Sequence, residues 1–161
     1  MTAVDPIPAG YHTITPHIVV KGAAEALAFY AEAFGAEELC RMPAPDGRLM
    51  HAEIRIGDAV VFLCDDFPDY GGIERNPLAR GGATCTLNVH TADCDAAIQR
   101  ALDAGATLAM PAADMFWGDR YGKVTDPFGH EWAFSQRIAV LSPEEMAEAA
   151  RNAFGSPGDS E

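Results

Sequence analysis

Basic residues are scarce in this chain: 11 lysines and arginines stand against 24 aspartates and glutamates, a formal net charge of −13. A surface of that sign repels phosphate backbones and anionic headgroups, so neither nucleic acid nor a membrane is an expected partner. Long apolar runs are missing too, and none reaches the roughly 20 residues of a membrane-spanning helix. The opening MTAVDPIPAG has neither the basic n-region nor the apolar core of a secretory signal. Cys40, Cys64, Cys85 and Cys94 are scattered with no CxxC pair. They are expected to be reduced, mostly buried thiols of a cytoplasmic protein, not a disulfide framework or a zinc site. There is no GxSxG, P-loop or HExxH. The glycine pairs at 71–72 and 81–82 do not lead from a strand into a helix and make no nucleotide-binding loop.

What is present suits a globular protein. The 161 residues are 48% hydrophobic and 22% charged, enough for one compact domain or two small, closely packed modules. After a loose leader over residues 1–10, the sequence alternates from Tyr11 to Val20, as a strand does. AAEALAFYAEAF follows at helical spacing, with Gly35 where a C-cap belongs. Strands are expected at Glu37–Met42, Leu49–Ile56 and Ala59–Asp65, the last two joined by a tight Gly57-Asp58 turn. Residues 66–82, rich in Pro, Gly and charge, read as a structureless linker. The pattern then restarts with a strand at Thr84–Val89, a helix at Asp93–Ala104, and strands at Thr107–Met110, Arg120–Thr125 and Glu131–Ser135. The two helix-ending motifs, at Gly35 and Gly105, are 70 residues apart (105 − 35), which points to a duplicated βαβββ module over residues 11–65 and 83–137. Residues 138–161 hold a C-terminal helix, started by a capping box of Ser142 and Glu145 with Pro143 at N1. Its stripe of Met146, Ala149, Ala150 and Phe154 must pack on the body or on a second subunit. The closing GSPGDSE is expected to be disordered.

The densest chemistry lies in DMFWGDRYGKVTDPFGHEWAF, residues 114–134. Aromatic walls with a few ionisable anchors suit a concave site for an organic ligand, although half-buried strands are rich in aromatics in any case. Trp117 and Tyr121 sit in a Gly-flanked segment, where a rim could stack against a flat ligand. Arg120 is a ready anchor for a carboxylate or phosphonate. Asp119 reads as a structural partner in that loop, and Asp126 as the side chain that fixes the DPFG turn. His130 and Glu131 point to opposite faces of their strand.

The duplicated pattern, with TPHIVVKGAAEALAFYAEAFGAE, LMHAEIRIGDAVVFLCDD and the 114–134 stretch, resembles the vicinal oxygen chelate superfamily of glyoxalases, extradiol dioxygenases and bleomycin-resistance proteins. It looks most like the PhnB-like subgroup. The resemblance implies an α+β fold in which two tandem βαβββ modules form a cup-shaped, eight-stranded mixed sheet around a cavity, commonly in a homodimer. It also implies that metal-binding members aim four side chains into the cup, one from the first and one from the last strand of each module. Aligned on Phe29-Tyr30 and on DPFG, those positions are Thr15, Phe62, Thr84 and Ala133, none of them a histidine or carboxylate. A cation needs at least about three protein ligands, so no metal is expected there. A two-residue shift keeps a side chain on its face, and would offer His17, His51, Glu53 and Glu131 as a displaced set for a divalent metal. In the plainer reading, His17 hydrogen-bonds within the cavity wall and Glu53 pairs with an arginine.

The expected function is binding of a small organic ligand, sequestered or carried without a catalytic metal. The ligand-binding candidates are Thr15, His17, Phe62, Thr84, Trp117, Arg120, Tyr121 and Glu131. One rival is a metal-dependent lyase, isomerase or dioxygenase using the displaced set. A second is a metal-free acid–base enzyme built on His17, His51 and Glu53. A third is an interaction module that uses the C-terminal helix as its contact surface.

Overall fold

The computed structural model describes residues 5–154, so the first four residues of the leader and the GSPGDSE tail lie outside the described residues. The first module runs β1 (His17–Val20), α1 (Ala23–Phe34), β2 (Glu37–Pro43), β3 (Leu49–Ile56) and β4 (Ala59–Asp65). The second runs β5 (Thr86–His90), α4 (Cys94–Asp103), β6 (Thr107–Asp114), β7 (Asp119–Thr125) and β8 (Glu131–Arg137). Each module makes its own mixed sheet: sheet A in the order β1-β4-β3-β2 and sheet B in the order β5-β8-β7-β6. The first strand of each pairs in parallel with the last, and the remaining pairs are antiparallel.

Several boundaries move from their expected places. Pro16 delays β1 to His17, so Tyr11 to Thr15 run as irregular chain. Thr84 sits in a bend before β5. Residues 66–82 are ordered instead of structureless, with short helices α2 (Pro68–Gly71) and α3 (Pro77–Arg80). Asp66 organises that segment: its Oδ2 accepts from Arg75 N (2.6 Å), Asn76 N (2.9 Å) and Asn76 Nδ2 (2.8 Å). Asn76 then caps α3 through Ala79 N, 3.0 Å.

Helix α1 has glycine rather than a capping side chain at its N-cap. Asp65 at the end of β4 substitutes, with Oδ1 accepting from Gly22 N and Ala23 N (2.9 Å each) and Oδ2 from Leu49 N (2.7 Å). One carboxylate thus ties helix, β3 and β4 together. Helix α4 is capped locally by Asp93, which accepts from Ala96 N at 2.9 Å.

The two modules share one core. Ile18, Val20, Ala52, Ile54, Val61 and Leu63 of sheet A pack on the same cluster as Val124, Trp132 and Phe134 of sheet B, with α1 and α4 between. Phe34 of α1 crosses to Trp132 (ring centroids 4.6 Å) and Phe134 (5.7 Å). Three polar contacts cross the same seam: Tyr30 Oη to Asp126 Oδ2 (2.7 Å), Arg100 Nε to the Ala33 carbonyl (2.8 Å), and His130 Nε2 to the Val19 carbonyl (2.9 Å). Because both sheets turn one face to this common core, period-2 alternation sends their other faces outward, away from each other. The expected cup is therefore present as two separate half-cups on opposite sides of the chain, not as one eight-stranded sheet.

Helix α5 (Pro143–Phe154) begins with the expected reciprocal cap: Ser142 N donates to Glu145 Oε2 (2.8 Å) and Glu145 N to Ser142 Oγ (3.2 Å). None of its described residues is buried, and its aromatic contact with the body is Phe154 against Phe116 at 5.4 Å. No helix among the described residues is long and apolar enough to cross a membrane.

Candidate ligand-binding site

Strand pairing decides which candidates meet. On sheet A, His17 lies opposite Phe62, and Phe62 opposite Glu53, with His51 two residues along the same face of β3. Their rings form a cluster: His51 to Phe62 at 4.9 Å, His17 to Phe62 at 6.0 Å and His17 to His51 at 6.1 Å, all edge-on. Among the described residues Glu53 pairs with no arginine. Its Oε1 accepts from His51 Nε2 (3.0 Å), and its Oε2 from the hydroxyl of Tyr11, whose ring leans on Phe62 at 6.0 Å. The Tyr11 hydroxyl, followed by His51, holds the Glu53 carboxyl below the usual glutamate range. Partial burial, and then the neighbouring His51, lower the pKa of His17 below the ordinary histidine value. His17 itself makes no side-chain hydrogen bond among the described residues, contrary to its expected tie within the wall. Beside this face lies a cavity of about 560 Å³, lined by Ile7, Pro8, Tyr11, Thr15, Glu53 and Phe62 among others.

On sheet B the outward face carries Thr86, Asn88, Tyr121, Lys123 and Glu131. Glu131 accepts from Thr86 Oγ1 at 3.2 Å and pairs with Lys123 Nζ at 3.4 Å. Tyr121 stacks edge-on against Trp117 (5.6 Å) in the β6–β7 turn, and Trp117 against Phe116 (5.1 Å). Arg120 cannot join them. As the neighbour of Tyr121 it points to the helix side, where it is bound bidentately by Asp95 and pairs with Asp114 at 2.8 Å. Its expected role as a ligand anchor is therefore replaced by a structural one. Asp119 pairs with Arg137, not with Arg120.

The register also relates the two modules to each other. Thr86 follows His17, and Glu131 follows Phe62, by the same 69 residues (86 − 17 and 131 − 62), and each forms a direct cross-strand pair. Those two cross-strand pairs, His17–Phe62 and Thr86–Glu131, are equivalent between the modules; Thr15 and Thr84 precede their strands, and Ala133 pairs with Asn88. Only His17 and Glu131 of these are ordinary metal ligands, and they face opposite sides of the chain. Within one chain the displaced set of His17, His51, Glu53 and Glu131 is split, with Glu131 held on the other sheet, and Phe62 offers no donor at its position.

Sequence reasoning missed two residues here. Tyr11 reaches Glu53 from the irregular chain before β1, where periodicity carries no information. Cys40 belongs to the same face: it lies opposite Glu53 across β2–β3. Cys40 and Cys85 are exposed and only Cys94 is buried, so most of the thiols are not core residues. A second cavity of about 480 Å³ lies at the module seam over Phe34, Trp132 and Phe134, with Arg100 and His90 at its margin; none of the candidate residues lines it.

Two βαβββ modules with outward aromatic and ionisable faces define a duplicated α+β protein of the cup-forming class. The chain belongs to the Glyoxalase/Bleomycin resistance protein/Dioxygenase superfamily, whose family model matches residues 10–134. It is 45% identical over 147 residues to an uncharacterised protein of Mycobacterium bovis, covering 91% of this chain and 94% of that one. The crystal structure of an Arabidopsis thaliana gene product is similar at 28% identity and a TM-score of 0.64, covering 78% of this chain and 98% of that one. TioX from Micromonospora sp. ML1 is similar at 25% identity and a TM-score of 0.59, covering 81% and 100%.

Proposed function

We propose that this chain is a small-molecule binding protein of the cytoplasm, in the PhnB-like subgroup, and that it sequesters or carries a flat organic ligand as a homodimer. The observation that carries this reading is the pair of outward half-cups. Apposing sheet A of one copy to sheet B of a second would bring His17 and Phe62 opposite Thr86 and Glu131 and enclose a site. Cavities of several hundred cubic ångströms suit a ligand of drug-like size, and the rings of Tyr11, Phe62, Trp117 and Tyr121 supply stacking surface. With Arg120 held by aspartates and Glu53 ionised, the site favours a neutral or cationic ligand, as does the long-range field of an acidic protein.

The test is titration of the purified protein with planar cationic aromatics, bleomycin and an acridine among them, followed by tryptophan fluorescence, with the assembly state measured by light scattering. Saturable binding by a dimer, weakened about tenfold or more by Phe62→Ala, is the expected result. A monomer that binds none of these compounds overturns the reading. The hydrogen-bonded series Tyr11–Glu53–His51 favours a second reading, a metal-free acid–base enzyme. A bell-shaped pH–rate profile on a discovered substrate, lost in Glu53→Gln, would establish it.

A further inference from the structure

We infer that the outward face of sheet A also binds one divalent transition-metal ion of the zinc class, held by Cys40, His51 and Glu53. All three offer a donor atom within 4.8 Å of the others'. The three positions lie on the internal strand β3 and the edge strand β2, so this is a different set from the first-strand and last-strand positions tested above.

A β-bulge is what brings the thiol there. Glu37 and Glu38 pair with Arg55 and Ile54, but after a register shift Cys40 pairs with Glu53. Unshifted, the same register would set Leu39 opposite Glu53 and turn Cys40 toward the Ala52 side of the sheet. The extra residue at Leu39 moves the thiol onto the outward face, and bulges commonly re-aim a side chain in this way. Tyr11 and His51 hydrogen-bond to Glu53, and burial together with the neighbouring Glu53, to which the thiol also donates, holds Cys40 as a neutral thiol without an ion; a bound cation would take the place of the thiol proton at this point.

The donor set selects the ion. One sulfur, one imidazole nitrogen and one carboxylate oxygen suit zinc, cobalt or nickel, whereas magnesium and calcium require oxygen-rich shells. Tetrahedral zinc ligands stand roughly 3.3–3.8 Å from one another, so the present cluster needs to close by about an ångström. The surroundings already do what an outer shell does. Tyr11 holds Glu53 Oε2 and leaves Oε1 facing His51, and the edge-on contact with Phe62 orients the His51 ring. Binding would replace the His51–Glu53 hydrogen bond by two metal bonds. Three protein ligands would leave a fourth position for water or a ligand atom.

The inference does not depend on an organic ligand entering the cup, and its test is separate. Protein stripped with a chelator is titrated with cobalt(II) and then competed with zinc. One cobalt per chain is expected, at micromolar ion, with the near-ultraviolet charge-transfer band of a thiolate–cobalt bond. Cys40→Ser should abolish that band and weaken zinc binding about tenfold or more. His51→Ala should weaken it similarly, while Cys85→Ser and His90→Ala leave both readouts unchanged. Circular dichroism on each variant confirms folding, and Cys40→Ala serves as a second thiol-free variant. Absence of the band in the unsubstituted protein, or its survival in both Cys40 variants, overturns the assignment.

Discussion

Asp126 closes a turn of the second module and reaches across to the first. Its Oδ1 accepts from Phe128 N and His130 N (2.9 Å each), closing the DPFG turn as the sequence suggests. Its Oδ2 accepts from Tyr30 Oη and Trp132 Nε1, which no local rule reveals. Burial, and then the Asp126 charge, push the Tyr30 hydroxyl well above the ordinary tyrosine range. Asp126→Ala leaves two buried side-chain donors and two turn amides without partners. A loss of about 3–5 kcal/mol in denaturant-derived stability is expected, and a loss below about 1 kcal/mol would show that water replaces the carboxylate. Asp66 makes a pH prediction. Desolvation raises its pKa, but the hydrogen bonds from Asn76, Arg75 and Phe67 outweigh that and place it below the usual aspartate value. Its contribution is thus complete above the unfolded-state pKa and vanishes as pH falls through the lower folded-state pKa. Acid unfolding of Asp66→Asn should lack that part of the slope; acid limbs superimposable on those of the unsubstituted protein would refute the assignment.

At the scale of elements, close approaches decide more than propensities. Helix α4 seats on β7 at Gly122, where an added Cβ would lie 2.5 Å from Ile98 Cδ1 and 3.0 Å from the Ala112 backbone. Gly122→Ala should therefore cost about 1–3 kcal/mol, read as a lowered melting temperature, and a neutral result would mean that β6 yields freely. Gly118 is constrained differently. Its φ of +90° closes the β6–β7 turn, and an added Cβ would meet the Ala139 carbonyl oxygen at 2.7 Å, where Ile138 N and Ala139 N both return to the Gly118 carbonyl. The strands and helices themselves were largely legible from alternation, Gly35, Asp93 and the Ser142–Glu145 box. Their ends were less so. Thr15 and Thr84 continue the alternation in sequence but fall before the first ladder hydrogen bonds, and residues 66–82 owe their order to Asp66, a side chain outside either short helix.

The whole molecule presents two half-cups on opposite faces, and its proposed assembly must bury them. Helix α5 is not needed for that: none of its residues is buried, and its aromatic contact is Phe154 on Phe116. Removing residues 143–161 should leave the melting temperature within a few degrees and the dimer intact. A monomeric truncated protein would instead assign the interface to the stripe of Met146 and Phe154. By itself the sequence determined the class of fold, because duplicated periodicity, caps and turns are local and each is written in a few adjacent residues. It also placed His51 and Glu53 on one face of their strand, since period-2 spacing depends on one strand at a time. Only the tertiary structure decided what those residues meet. Register across strands set Cys40 and Glu53 opposite each other, paired Thr86 with Glu131, and turned Arg120 from the ligand face to Asp95. The packing of both sheets on one shared core sent the two candidate faces apart. Register and packing join residues distant in the chain, and the sequence encodes them only through the summed fit of many side chains.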